Sequence, residues 1–191
     1  MTIAGGCLDA VVAEAVAGDR NALREVLETI RPIVVRYCRA RVGTVERGGL
    51  SADDVAQEVC LAAITALPRY RDRGRSFLAF LYGIAAHKVA DARRAASRDL
   101  VYPAEAVPDR RSVHASPEQL VIEADSITRM NELLEILPAK QREILILRVV
   151  VGLSAEETAA AVGSSPGAVR VAQHRALSRL KSEIVAAGDY A

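Results

Sequence analysis

The chain has 191 residues, of which 51% are hydrophobic and 4% aromatic, a length that suits one large domain or two small ones. Its net charge is +1, and it has neither a signal-peptide pattern nor an apolar run near the ~20 residues of a membrane span, so we expect a cytoplasmic protein without membrane insertion. The widely spaced Cys7, Cys38 and Cys60 form no CxxC or His/Cys cluster, so the sequence supports neither a disulfide framework nor a zinc site, and no cofactor is expected.

Helical periodicity dominates the first half of the chain. Apolar residues keep helical spacing over 8–42, with a break at Gly18, and Pro32 is predicted to kink the second stretch or to begin a new helix. After a loop, Ser51 has the character of an N-cap for a helix that runs to about residue 67 and stops at Pro68. An Arg-rich loop at 70–76 then precedes a helix over 77–97.

The segment 98–116 differs from both halves, because its prolines fall among charged residues without sustained periodicity. We interpret it as a flexible linker between a domain at 1–97 and a domain at 117–191. In the second domain, helices are predicted over 117–136 and 140–151. The predicted fold class is therefore all-α, with two small helical domains joined by a flexible linker.

Basic residues are concentrated in two segments of this nearly neutral chain. Residues 69–98 contain eight Lys/Arg against two Asp, a local charge of +6, and residues 165–181 contain four Lys/Arg and no acid, a local charge of +4. Two separated basic segments indicate two polyanion-binding surfaces, although two solvated helix faces would have the same composition.

The C-terminal end has the spacing of a helix-turn-helix. Ser154 and Glu157 have capping-box spacing for a short helix at 155–162, and Gly163 can supply the left-handed turn that closes it. Ser165 then caps a longer, basic helix. This layout predicts that the second helix enters the major groove of DNA, and the alternative is a helical hairpin with solvated arginines.

The basic second helix has one apolar and one polar face. Val169, Ala176 and Leu180 cluster on the side that would pack on the preceding helices. The residues predicted to bind DNA lie at the helix start and on the opposite side: Ser165, Gly167, Arg170, Val171, His174 and Arg175. Arginines there can contact phosphates or guanine edges.

Aromatic residues alternate with arginines near the end of the first half. Four of the chain's seven aromatics (5 Tyr and 2 Phe) lie within thirteen residues. They are Tyr70, Phe77, Phe80 and Tyr82. Single-strand binders use this combination of arginine and aromatic rings, whereas the alternative is that Phe77 and Tyr82 belong to the core. Three small residues nearby would let a backbone approach closely: Gly83, Ala86 and Ala90.

An ordered set of motifs resembles the extracytoplasmic-function sigma factors, which give bacterial RNA polymerase its promoter specificity. Residues 54–61 (DVAQEVCL) resemble the DLVQE-type signature of region 2, and residues 77–85 (FLAFLYGIA) its aromatic-rich WLYRIA stretch. Residues 137–148 are similar to the LPxxxR opening of region 4, and residues 153–176 to its helix-turn-helix.

This resemblance implies two small helical domains and a role for each surface. The helix with Asp54, Gln57 and Glu58 would dock on core RNA polymerase. The loop at 70–76 would capture a flipped base of the −10 element, and the following helix would help to hold the melting strand. The implied −10 contacts are Tyr70, Arg71, Arg73, Arg75, Phe80, His87, Lys88 and Arg94. The recognition-helix residues would read the −35 element of promoter DNA, and an anti-sigma factor is an implied partner.

The chain departs from the family pattern at several positions. Ala63 and Phe80 stand near the family's usual tryptophans, Val171 with Ala172 replaces a polar pair, and His87 aligns with an asparagine. These changes leave the class intact, and no promoter sequence is predicted.

Two other classes of function fit the sequence less well. A helix-turn-helix transcription regulator that is not a polymerase subunit would leave the acidic helix and the Arg/aromatic loop unexplained. An enzyme is not indicated, because the sequence has no P-loop, GxGxxG, HExxH or nucleophile elbow, and no small-molecule substrate is expected. The paired acids at 53–54 and 156–157 lie at helix starts, where the helix dipole explains them.

Overall fold

The computed structural model describes residues 5–42, 51–71, 76–99, 129–130 and 132–186, and every regular element within these ranges is helical. The all-α prediction is confirmed. Residues 98–99 of the predicted linker still belong to the helix that begins at Phe77, and residues 100–116 lie outside the described residues. Most of the helix predicted over 117–136 also lies outside them, and its residues 129–130 and 132–135 are helical. None of the described helices is long and apolar enough to cross a membrane.

The described residues of the first half form four α-helices. They are α1 (Gly5–Val16), α2 (Arg20–Val42), α3 (Ala52–Ala66) and α4 (Phe77–Asp99), with a 3₁₀ turn at Leu67–Arg69 after α3. Gly18 has a φ of +102°, which favours glycine and lets the chain turn between α1 and α2. The Asp19 carboxylate accepts hydrogen bonds from the backbone N–H of Asn21 (2.7 Å) and Ala22 (3.1 Å), which caps α2.

One of the two predicted proline effects is confirmed: α3 ends at Ala66, just before the predicted stop at Pro68, whereas Pro32 begins no new helix. Pro32 is exposed inside α2, which is one helix from Arg20 to Val42, so the predicted new helix start at Pro32 was wrong. Pro68 lies within the 3₁₀ turn that continues α3. The Ser51 hydroxyl accepts from the N–H of Asp53 at 3.2 Å, which confirms the predicted N-cap of α3.

The second half contains α5 (Ala139–Leu145), a π-helix (Ile146–Val151), α6 (Ala155–Val162) and α7 (Pro166–Ala186). Residues 140–151 are therefore helical throughout, as predicted, but the helix changes from α to π at residue 146. Gly152, with φ +88°, ends the π-helix in the left-handed conformation.

One hydrophobic core joins helices of both halves. Buried residues of α2, α3 and α4, such as Val34, Val59 and Leu81, belong to the same cluster as Ile146 and Leu147 of the π-helix. A smaller cluster lies beneath α7 and consists of Ile144, Ala155, Ala159 and Val169. The helices of the second half therefore pack directly on those of the first half, and α6 contacts α4.

The cysteines behave as core side chains. Cys38 is fully buried and Cys60 half-buried, and both are free thiols. Burial raises the pKa of Cys38 to about 12, so the thiol stays protonated and unreactive at neutral pH. The described residues contain no group of His, Cys, Asp and Glu side chains able to hold a metal ion.

Candidate nucleic-acid interface

The helix-turn-helix is formed by caps at both of its helices. The Ser154 hydroxyl accepts from the N–H of Glu157 at 3.0 Å, and the Glu157 carboxylate accepts from the N–H of Ser154 at 2.7 Å. This reciprocal pair is the predicted capping box of α6. Gly163 closes α6 at φ +61°, and the Ser165 hydroxyl accepts from the N–H of Ala168 at 3.2 Å at the start of α7.

The two faces of α7 are divided as predicted. Val169 and Ala176 are fully buried against the preceding helices, and Leu180 is half-buried. All six residues predicted to bind DNA are exposed: Ser165, Gly167, Arg170, Val171, His174 and Arg175. Val171 remains 51% exposed, although it is apolar. The exposed side of the first three turns of α7 therefore carries Arg170, His174 and Arg175 around the apolar Val171.

Arg148 of the π-helix fixes α7 to the turn before α6. Its Nε donates to Gln173 Oε1 at 2.9 Å, and its Nη1 donates to the carbonyl of Leu153. Gln173 lies between the exposed Arg170 and His174, so this bond constrains the rotation of the DNA-facing surface. Sequence analysis missed this pair; a polar residue on the inner side of α7 was the available signal.

Arg170 is not free of protein contacts. Its Nη2 lies 2.7 Å from Glu156 Oε1 in the first turn of α6, and both side chains are more than half exposed. A hydrogen bond from the backbone of Glu156 and the bond from Arg170 hold the pKa of the Glu156 carboxyl below its usual value. The Arg170 guanidinium is therefore held at the junction of the two helices.

The acidic face of α3 is also exposed. Asp54, Gln57 and Glu58 all point to solvent, as the sequence interpretation requires of a docking surface. Leu61, one turn further on, belongs to the same face and is 61% exposed. Leu61 was not among the predicted site residues, although its i+3 and i+4 spacing from Glu58 and Gln57 was a usable signal.

Two of the predicted −10 cations are paired with carboxylates. Lys88 Nζ of α4 lies 3.0 Å from Glu58 Oε2 of α3, which joins a residue assigned to DNA with one assigned to the polymerase. Arg94 forms an ion pair with Asp91 one turn earlier. His87 is exposed beside them.

The aromatic residues at the start of α4 form a small cluster. The ring centroids of Tyr70 and Phe77 are 5.4 Å apart, and those of Tyr70 and Phe80 are 5.2 Å apart. Phe77 and Tyr82 are buried, which confirms the interpretation of those two as core, whereas Tyr70 and Phe80 are half-buried.

The loop before α4 is described only at its two ends. Arg71 is exposed and donates hydrogen bonds to the carbonyls of Pro68 (3.2 Å) and Tyr70 (3.0 Å). The predicted contacts Arg73 and Arg75 lie outside the described residues.

Of the three small residues of α4, Gly83 is exposed, and Ala86 and Ala90 are half-buried. Gly83 and Ala86 line a cavity of about 250 Å³ together with Ala161 and Val162 of α6. A Cβ at Gly83 would meet nothing within 4 Å, so the approach of α6 does not require glycine there. At Gly83, therefore, no part of the described chain makes the predicted close backbone approach.

Comparisons with known proteins match both halves of the chain. Residues 26–99 match Sigma-70 region 2, and residues 127–180 match Sigma-70, region 4. The ECF RNA polymerase sigma factor SigD of Mycobacterium tuberculosis is 87% identical over 191 residues, which cover 100% of this chain and 90% of that protein. The chain belongs to the ECF sigma factors of RNA polymerase.

More distant relatives agree. The ECF RNA polymerase sigma factor ShbA of Streptomyces griseus is 46% identical over 179 residues, 92% of this chain and 94% of that protein. A solved structure of CnrH in complex with the cytosolic domain of CnrY has a TM-score of 0.68 at 26% identity, and the match covers 94% of this chain and 98% of that chain.

The ECF family assignment explains how the helices are grouped. The region 2 match begins within α2 and ends with α4, whereas the region 4 match contains α5, the π-helix, α6 and most of α7. Helix α1 precedes the region 2 match and packs on α2.

The capping box of this sigma factor's region 4 gives a test of the helix-turn-helix. Ser154→Ala removes the acceptor for the N–H of Glu157 and should lower the free energy of unfolding by about 1 kcal/mol, measured by urea denaturation. As a control, Ser182→Ala removes a hydroxyl inside α7, where alanine is the better helix former, and should change stability by less than about 0.5 kcal/mol. Equal losses in the two variants would contradict the capping role.

Proposed function

We propose that this chain binds core RNA polymerase and directs promoter recognition, DNA melting and transcription initiation. The observation that carries this proposal is the exposed, carboxylate-poor face of α7, set on a capped helix-turn-helix in which Val169 and Ala176 of the opposite face are buried. A helix of this kind can enter the major groove with its first turns against the bases. We assign the −35 element to it, with Arg170 and Arg175 as the cations nearest to the DNA.

The −10 element is assigned to the Tyr70–Phe80 cluster and to the outer side of α4. Two half-buried rings at the end of a basic loop could stack on an unpaired base, while His87, Lys88 and Arg94 approach the phosphates. Unstacking a base costs a few kcal/mol, and stacking and phosphate contacts can offset that cost. Arg73 and Arg75 belong to the same proposal from the sequence.

Core polymerase is assigned to the α3 face. Asp54, Gln57 and Glu58 supply hydrogen-bonding and charged groups, and the exposed Leu61 adds an apolar anchor of the kind that interface centres use. This combination differs from the basic surfaces of α4 and α7, and so it suits a protein partner better than a nucleic acid.

The remaining assignments follow from the family. We propose a domain at 1–97 and a domain at 117–191 joined by the linker 98–116, and action in the cytoplasm as a non-catalytic initiation factor. We further propose that an anti-sigma factor holds the chain inactive. CnrH, which has the same fold, was solved in complex with the cytosolic domain of CnrY.

Run-off transcription tests the proposal directly. Core polymerase supplied with this chain and a promoter library should produce transcripts from defined start sites, and core polymerase without the chain should not. Absence of any chain-dependent start site would contradict the proposed function.

Arg175→Ala tests the −35 surface. The variant loses an exposed guanidinium on the outer face of α7, and its affinity for −35 DNA should fall by about 1–3 kcal/mol, measured by fluorescence anisotropy. Arg24→Ala is the matched control, because it removes the same charge from an exposed position of α2. If both variants lost the same affinity, the effect would reflect net charge and not this surface.

Gln57→Ala combined with Glu58→Ala tests the polymerase surface. The pair removes two exposed polar groups from α3 and should reduce association with core polymerase, measured by co-purification, while −35 affinity stays at the parental value. Asn21→Ala with Glu25→Ala removes the same two kinds of group from an exposed part of α2 and should leave association unchanged. Parental association in the α3 variant would refute the assignment.

A further inference from the structure

Helix α4 is held at its first residue by a side chain of another helix. The Asp9 carboxylate of α1 accepts a hydrogen bond from the backbone N–H of Phe77 at 2.9 Å, across 68 residues of sequence. The caps of α2, α3, α6 and α7, by contrast, come from a side chain two or three positions before the N–H that it binds. Ser76, which precedes α4, makes only a long contact of 3.4 Å with the N–H of Ala79. The start of α4 therefore depends on the position of α1.

Water cannot replace Asp9 at this position. Phe77 is fully buried, whereas Asp9 is half-buried. The first N–H groups of a helix have no partner within that helix, and a buried N–H without any partner costs its full desolvation free energy. The N–H of Phe77 must therefore keep the Asp9 carboxylate, or the first turn of α4 must move until this N–H reaches water.

Phe77 belongs to the aromatic cluster that we assign to the −10 element. Its ring centroid lies 5.4 Å from that of Tyr70 and 6.0 Å from that of Phe80. Tyr70 and Phe80 are the half-buried members of the cluster, and both lie against the buried Phe77. A shift in the first turn of α4 would therefore move the two rings that are proposed to stack on an unpaired base.

Helix α1 contacts the elements on both sides of the loop at 70–76. It packs on the 3₁₀ turn that precedes this loop and on α4, which follows it. Leu8 and Val12 anchor α1 in the main hydrophobic core, so Asp9 is carried on a helix with a fixed position. The region 2 match begins only at residue 26, and α1 lies outside it. Through Asp9, the −10 surface thus depends on a helix that the family match does not include.

We propose that Asp9 is a positioning residue of the −10 site: its carboxylate fixes the first turn of α4, and this turn sets the Tyr70–Phe80 cluster in the arrangement that accepts an unpaired base. This inference rests on the proposed function. An anion close to the DNA would repel phosphates, so the loss of its charge alone should leave DNA binding unchanged or make it tighter. Weaker binding after removal of Asp9 would therefore identify positioning and not electrostatics.

Two substitutions at Asp9 separate the acceptor from the charge. Holoenzyme is assembled from core polymerase and each variant, and it is titrated with labelled single strands of the −10 element from a promoter recovered by run-off transcription. Asp9→Ala removes the acceptor for the N–H of Phe77 and should weaken binding about fivefold or more, because a helix cap is lost at the cluster. Asp9→Asn keeps an acceptor without the charge, and it should bind at least as tightly as the parent. The affinity of both variants for −35 duplex should stay parental.

Asp19→Ala is the matched control. Asp19 accepts from the N–H groups of Asn21 and Ala22 at the start of α2, so this variant also loses a carboxylate that caps a helix. Its free energy of unfolding should fall much as that of Asp9→Ala does, measured by urea denaturation. Its binding of the −10 strands should nevertheless stay within about twofold of the parent, because the α2 cap shares no partner with the cluster. Equal weakening by the two alanine variants would overturn the proposal, as would parental binding by Asp9→Ala.

Amide hydrogen exchange separates this proposal from the proposed function. The amides of residues 77–79 should exchange faster in Asp9→Ala than in the parent, whether or not DNA is present, and unchanged exchange would refute the role of Asp9. If the parent holoenzyme bound no −10 strand and started no transcript, the proposed function would fail. The exchange rates would still measure whether Asp9 holds the start of α4.

A second variant decides if Asp9→Ala proves unfolded by circular dichroism. Asp9→Glu keeps the charge but carries the carboxylate one methylene further from the backbone of α1. The first turn of α4 should then be displaced, and weaker binding of the −10 strands is expected. Parental binding by a folded Asp9→Glu holoenzyme would count against the positioning role.

Discussion

A carboxylate that is buried loses its hydrogen bonds to water and needs other partners. Glu143 of the second half finds these partners on α2 of the first half. Its two partners, Tyr37 and Arg41, lie one turn apart on α2. Helix α2 in turn packs on α1, α3, α4 and the π-helix. The contact therefore adds a polar link between the second half and the central helix of the first, beside the hydrophobic core that both halves share.

The π-helix contacts both the first half of the chain and helix α7. Its wider turn over Ile146–Val151 buries Ile146 and Leu147 in the shared core, while Arg148 is directed towards Leu153 and Gln173. One six-residue segment thus packs on α2 and orients α7. Movement of the halves relative to each other need not disturb the recognition helix, because the Arg148 contacts lie entirely within the second half.

Sequence reasoning succeeded where the signal is local. Ser154, Glu157 and Gly163 determine the helix-turn-helix within ten residues, and the 3.6-residue period alone separates Val169 from Arg170. The Tyr37–Glu143 bond spans 106 residues and Lys88–Glu58 spans 30, and no periodicity encodes which helices will meet. The exposed faces of the candidate site were therefore predictable, whereas the partners that its cations take were not.

Three of the proposed DNA contacts are already paired with carboxylates, which affects how they would bind phosphate. Arg170, Lys88 and Arg94 each face a carboxylate of the same chain, at Glu156, Glu58 and Asp91. Exposed ion pairs of this kind contribute about 0–1 kcal/mol, so a phosphate can replace the carboxylate at small cost. Before a phosphate replaces it, the carboxylate restrains the long basic side chain and weakens the attraction of that side chain to any other polyanion. Because Glu58 also belongs to the proposed polymerase surface, a polymerase that takes Glu58 would release Lys88 for DNA at the moment when both ligands are present.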